Sequence, residues 1–234
     1  MMVPLRRIIR FFPHHRARAA AALSIGLLSI AALPSPHRFQ AAFRLASFSA
    51  DVTVPPGHGM MGGAWLSTSI ADPLEAHGLV LLGAGKPVVL VAIDWCEIRN
   101  RALERWQEVL AEAAGTDPER VMVCTVHQHD APVADLEAEQ ILRRRNAEGT
   151  VCGVAFHEAA VQRVRKALRA SPASARRVTH LGLGQAQVER IASNRRYLMP
   201  DGSVRFDRTS STRNPSAIEA PENLVDPWLK TLSF

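Results

Sequence analysis

Two histidines one residue apart, His127 and His129, follow the apolar run Val121 to Val126 (VMVCTV) and precede Asp130 and Pro132. A neutral imidazole offers a nitrogen lone pair at physiological pH, which makes it a ligand for zinc. In an extended segment residues i and i+2 point to the same side, so both rings could face one site. How the loop bends decides whether both reach one metal. The cautious assignment is one ligand and one histidine beside the metal or facing a substrate. By spacing alone, two surface loop histidines explain the pattern equally well. Asp130 either caps the following turn or orients a histidine by accepting its second N–H; both are preferred over direct ligation.

Other candidate residues have simpler readings. Asp94 ends an apolar run beside Trp95 and serves either a metal site or the N–H donors of a loop. His58, in a Gly/Met-rich loop, is a candidate for the mouth of the site. His77, His157 and His180 read as a strand-start, a helix-surface and a strand histidine. The three cysteines, Cys96, Cys124 and Cys152, are odd in number and share no C-x-x-C spacing, so neither a disulfide framework nor a cysteine zinc site is indicated. Cys96 and Cys124 lie in apolar stretches and read as packed thiols. One disulfide stays open in an oxidising compartment.

The elements that must position these residues follow from apolar patterning. Residues 49–54 read as a short strand stopped at Pro55-Pro56-Gly57. Residues 76–82 and 87–94, joined by Gly83-Ala84-Gly85-Lys86, read as a β-hairpin whose second strand is central and buried on both faces. Asn100 is expected to cap a helix through Ala114, with Leu103, Trp106, Val109, Leu110 and Ala113 on one stripe and Gly115 ending it. The VMVCTV run then reads as another buried strand, completing a βαβ unit. A second helix over residues 155–170 and an extended segment over 178–188 follow, and residues 194–221 read as loop and turn. The fold class expected is α/β, a mixed β-sheet with flanking helices, with α+β as the alternative.

Residues 1–47 read as a leader, and residues 48–234 as the folded body. A basic stretch precedes the fifteen-residue apolar run Ala19 to Leu33, shorter than the ~20 residues of a membrane span. Export is the expectation, to the periplasm or outside the cell, with an uncleaved anchor as the alternative. Seven of the 28 basic residues lie at or before Arg44, where there is no acidic one, leaving 21 basic against 22 acidic residues. The net charge of +6 therefore sits outside the body, which lacks the concentrated basic face that binding nucleic acid requires. The stripe Arg163, Arg165, Lys166, Arg169 reads as a solvated helix face. The cluster Arg143 to Arg145 could meet anionic lipid headgroups, so association with a membrane surface is a further option.

Several segments, taken in order, resemble the neutral/alkaline ceramidase family. They are Ala50-Asp51-Val52-Thr53-Val54-Pro55-Pro56-Gly57, Asp72-Pro73-Leu74, Ala92-Ile93-Asp94, Thr125-Val126-His127-Gln128-His129-Asp130-Ala131-Pro132 and Ser193-Asn194-Arg195-Arg196, with Val225-Asp226-Pro227 leading to Phe234. The resemblance covers nearly everything from residue 50 onward. It implies a zinc-dependent hydrolase of amide (N-acyl) bonds, acting on a sphingolipid or another small-molecule or lipid amide. His127 falls on the position of a zinc ligand, His129 on a histidine beside metal and substrate, and Arg195 on an arginine of the polar substrate site.

Three departures qualify the resemblance. Gln128 replaces a threonine, Asp130-Ala131 replaces Ser-Gly, and Glu75 stands where many relatives have an aromatic residue, which puts a sphingolipid preference in doubt. The family's remaining zinc ligands and its serine match positions beyond Phe234, so the chain is expected to be an incomplete catalytic domain. Alternatives are an inactive exported module and another class of metal hydrolase; the absence of H-x-H-x-D-H argues against a metallo-β-lactamase.

Overall fold

The computed structural model describes residues 3–4, 43–189, 191, 194–222 and 224–234. The apolar run expected to be a leader lies outside these residues. In chain order the strands and α-helices are β1 (Val3–Pro4), β2 (Arg44–Asp51), β3 (Gly59–Met60), β4 (Trp65–Leu66), β5 (Glu75–Leu82), β6 (Val88–Ile93), β7 (Glu97–Arg99), α1 (Asn100–Ala114), β8 (Val121–Thr125), β9 (Val133–Asp135), α2 (Leu136–Arg143), α3 (Val154–Ala170), β10 (Arg176–Arg177), β11 (His180–Gln187), β12 (Tyr197–Leu198), β13 (Val204–Arg205), α4 (Pro215–Glu219) and β14 (Trp228–Ser233). The chain divides into two compact units, Phe12–Val178 and Thr179–Phe234 with Met1–Phe11.

The first unit is built on a five-stranded mixed sheet of order β10-β2-β5-β6-β8. The β2–β5 and β5–β6 pairs are antiparallel, and β6 pairs parallel with β8 from Val89↔Val121 to Ile93↔Thr125. The expected hairpin and crossover are both present, with α1 in the crossover. Alternation sets the inner face: Ala46 and Phe48, Ala76 and Val80, and Val89, Val91 and Ile93 are buried, while their neighbours in the chain point the other way. Helices α1 and α3 pack on that face. Trp106 and Leu110 of α1 and Val161, Val164 and Leu168 of α3 join the same core as Val80, Val91 and Ile93.

Four expectations are corrected. Strand β6 is central, but Val88, Leu90 and Ala92 on its outer face are only half-buried, because helices cover one face of the sheet. Strand β8 lies at the sheet's edge, and its Met122 and Cys124, beside Leu90 and Ala92 on the face the helices leave uncovered, are exposed. Asn100 does not cap α1: its side-chain amide donates to Asp135 Oδ2 at 2.9 Å. His157 is buried, not a surface residue, and heads the helical series Ala160, Val161, Val164, Leu168 that faces the core. Gly115 does end α1 as expected, in the left-handed conformation at φ 66°.

In the second unit β11 pairs antiparallel with β14 across Gly182↔Ser233 to Gln187↔Trp228, and with Val3–Pro4 on its other side. The stretch expected to be loop contains the small hairpin β12–β13 and the short helix α4. Buried Arg208 organises it by donating to the carbonyls of Ala217 (2.7 Å), Ala220 (2.6 Å), Pro221 (3.1 Å) and Asn194 (3.3 Å).

Candidate metal centre at the ends of β6 and β8

Parallel pairing of β6 and β8 carries both strands to one edge of the sheet, so the residues after Ile93 and after Thr125 emerge side by side. The loop 126–132 is then tied to the segment leaving β6. Val126 N–H donates to Ile93 O and His127 N–H to Trp95 O, both at 3.2 Å, and Cys96 N–H donates to Pro132 O at 3.0 Å. Trp95 is fully buried and anchors that segment by donating its indole N–H to Val52 O at 3.0 Å. Gln128 Nε2 donates to Asp94 O (3.1 Å) and to Asp130 O (3.2 Å). Asp94 Oδ2 accepts the Glu75 N–H, so of its two readings the loop-donor one describes its contact.

His127 adopts φ 58°, a left-handed conformation uncommon outside glycine. Such residues cost of order 1–3 kcal/mol each and cluster at functional sites. The segment is therefore not extended between the two histidines. The bend still keeps them together, the rings meeting edge to face with centroids 5.4 Å apart.

Three donor-bearing side chains converge here. His127 Nδ1 lies 3.8 Å from Cys96 Sγ and 3.6 Å from Glu97 Oε1, and it is 3.1 Å from the Cys96 carbonyl. One ligand atom from each of Cys96, Glu97 and His127 lies within 4.8 Å of the others. Burial, reinforced by the Glu97 carboxylate, pushes the Cys96 thiol up from its ordinary value. The guanidinium of Arg99 lies against Glu97 Oε2. These side chains open, with His129 and Met61, onto a cavity of about 290 Å³. Nitrogen, sulfur and carboxylate oxygen are the donor types zinc accepts, and the cavity leaves a side of the cluster open, so the residues fit that metal.

Of the expected site residues, His127 and His129 are brought together in the first unit. Arg195 is exposed and belongs to the second. Asp130 is exposed, and the carboxylate facing His127 is that of Glu97. His58 does not line this cavity. It is buried, with Nδ1 at 2.8 Å from Gly59 O and Nε2 accepting the Gly153 N–H at 3.0 Å, so it fastens its loop to the start of α3, and burial holds its pKa below the usual histidine value. Cys96 is buried as expected, but Cys124 is exposed. Sequence reasoning passed over Cys96 and Glu97 as donors. The signal that could have found them is positional: they follow the end of the strand that neighbours the histidine strand, where α/β folds gather their sites.

The fold is similar to that of the neutral ceramidase from Pseudomonas aeruginosa, with a TM-score of 0.54 and 19% identity over 66% of this chain and 25% of that one. A ceramidase complexed with C2 matches with the same TM-score and coverage at 20% identity. The chain thus spans 25% of the length of either structure. No family model and no curated protein matches the sequence.

Proposed function

We propose that this chain forms part of an exported, zinc-dependent hydrolase of linear N-acyl amides, with a lipid amide as substrate. The observation that carries the reading is the cluster at His127, a metal-donor set at the carboxyl edge of a sheet in a fold like that of the neutral ceramidases. When bound, zinc supplies Lewis acidity that polarises the amide carbonyl and makes a water nucleophilic near neutral pH. His127 holds the metal. His129, whose ring lies edge-on to His127, moves a proton on a ring nitrogen between the attacking water and the leaving amine. Amide plus water then gives a carboxylic acid and an amine.

The test begins with metal analysis of the protein after zinc loading and dialysis, followed by release of fatty acid from a panel of N-acyl amides. One zinc per chain, lost in His127→Ala, together with hydrolysis that His129→Ala slows, is the expected result. A protein that takes up no zinc at saturating metal refutes the reading. Zinc uptake without hydrolysis of any N-acyl amide refutes its catalytic part and leaves an inactive metal-binding module.

A further inference from the structure

The β3–β4 hairpin carries apolar side chains that the first unit leaves in solvent: Met61 is 38% exposed, Trp65 43% and Leu66 59%. Beside it, the end of α2 and the turn that follows carry three consecutive exposed arginines, Arg143, Arg144 and Arg145. We propose that hairpin and turn together form a docking surface for an anionic lipid bilayer, with Met61, Trp65 and Leu66 entering the interface and the three arginines meeting headgroup phosphates. The proposal goes beyond the hydrolase reading and needs neither metal nor catalysis.

Backbone contacts set the two loops side by side. A Cβ on Gly59 would lie 2.3 Å from Thr150 O and one on Gly63 2.6 Å from the same oxygen, so only glycine lets the hairpin approach this closely. Met61 N–H also donates to Ala131 O at 2.8 Å. Thr150 in turn belongs to the arginine turn: its hydroxyl donates to Ala147 O at 2.9 Å, and the Arg145 and Ala147 N–H groups donate to Leu142 O at 2.8 and 3.0 Å. Glu139 secures the far end of that turn by accepting the Gly149 and Val151 N–H groups. The apolar hairpin and the arginine turn are thus packed backbone against backbone.

Reversible attachment to a membrane takes apolar insertion and electrostatic attraction together, because either alone is weak. Trp65 suits the interface, where an apolar ring with a polar N–H is at home. The core has room for tryptophan, since Trp95 and Trp106 are fully buried, yet Trp65 stays outside it. Among the described residues none of the three arginines makes an ion pair, and the one exposed acidic residue of the turn is Glu148. Their guanidinium groups are therefore available to phosphate, which they can bind through two N–H groups each. The position of the hairpin also fits a lipid partner. Met60, Trp65 and Leu66 line a cavity of about 450 Å³ that reaches Gln128 and Asp130 of the histidine loop. Docking there sets the bilayer beside the loop that carries His127 and His129.

The test is co-sedimentation of the whole chain with vesicles of phosphatidylcholine, alone or mixed with phosphatidylglycerol. Every variant keeps the basic N-terminal segment, so its contribution cancels. Trp65→Ser combined with Leu66→Ser should weaken binding about 10-fold. Arg143→Ser, Arg144→Ser and Arg145→Ser together should weaken binding to the phosphatidylglycerol vesicles about 10-fold or more, at about fivefold for each cation brought to an anionic surface, and leave binding to phosphatidylcholine unchanged. Lys166→Ser combined with Arg169→Ser, on α3, should change nothing. All these side chains are exposed, so thermal melts matching the native protein are expected and show that the variants are folded. Binding undiminished in either the hairpin or the arginine variant overturns the proposal, as does no binding by the native chain. Self-association of the native chain without vesicles, lost in the hairpin variant, also overturns it and assigns the patch to a second copy. None of these outcomes touches zinc uptake or amide hydrolysis, which test the hydrolase reading separately.

Discussion

His157 ties the stability of the first unit to pH. It is 1% exposed, set between Trp95 and Trp106 with ring centroids 6.2 and 6.1 Å away, and its Nε2 has no hydrogen-bond partner among the described residues. Burial, the dominant cause, lowers its pKa from 6.5 to about 4. As pH falls through 6.5 the unfolded chain takes up this proton first, so stability declines between pH 6.5 and about 4 and is flat outside that window. Linkage over this interval gives a loss of about 2 kcal/mol between pH 7 and pH 5, and about 3 kcal/mol in all. Lowered His58 adds a decline of the same sign. Glu158, held at about 2 by the Arg105 guanidinium, contributes stability that is lost only as pH falls below 4.5. Replacing His157 by leucine, close to it in volume, removes the His157 share alone. Urea unfolding followed by tryptophan fluorescence at pH 7, 6 and 5 should show a slope in His157→Leu that is shallower by about 2 kcal/mol over the range. Equal slopes in the two proteins would refute the assignment of a neutral, buried imidazole.

Three further outcomes follow from the packing. Buried Glu139 accepts backbone N–H bonds from Gly149 (2.7 Å), Val151 (2.8 Å) and Cys152 (2.6 Å), so Glu139→Gln, which turns an amide donor toward one of them, should cost about 2 kcal/mol, read as a lower urea midpoint with faster amide exchange at residues 149–152. Gly78 sits opposite Phe48 in the sheet, and a Cβ there would come within 2.0 Å of the ring, so Gly78→Ala should cost about 2 kcal/mol, partly restored by Phe48→Leu; thermal melts of the single and double variants decide it. Exposed Cys124 should react with iodoacetamide in the native protein, whereas Cys152, whose thiol burial pushes up to about 12, should react only on unfolding, as peptide mapping after labelling would show.

The parts of the fold that were legible are those fixed by local pattern. The β5–β6 hairpin follows from two apolar runs around a Gly-rich turn, and α1 from a helical stripe that stops at Gly115. The misreadings arose where a distant residue decides the outcome. Asn100 has the chemistry of a cap, but Asp135, 35 positions away, takes its amide. The VMVCTV run has the composition of a buried strand, yet Met122 and Cys124 lie beside Leu90 and Ala92 on the face of the sheet that the helices leave uncovered, so two of the strand's five side chains are exposed. His157 reads as a helix-surface residue, whereas the apolar residues three and four positions after it, Ala160 and Val161, place it on the inner face of α3.

The candidate metal centre divides along the same line. His127 and His129 were legible because they are neighbours in the chain and their residue types are uncommon together. Their partners were not, because Cys96 and Glu97 reach His127 only through the parallel register that sets Ile93 beside Thr125, about thirty residues apart in sequence. The apolar residues before Cys96 explain its burial but not its neighbour across the sheet edge. The left-handed turn at His127 was equally hidden, since no glycine or asparagine marks it. A histidine just past one strand of a βαβ unit therefore gains meaning from the residues just past the strand that pairs with it. Here those residues are a thiol and a carboxylate, and they are the observation that turns a weak two-histidine motif into a testable metal centre.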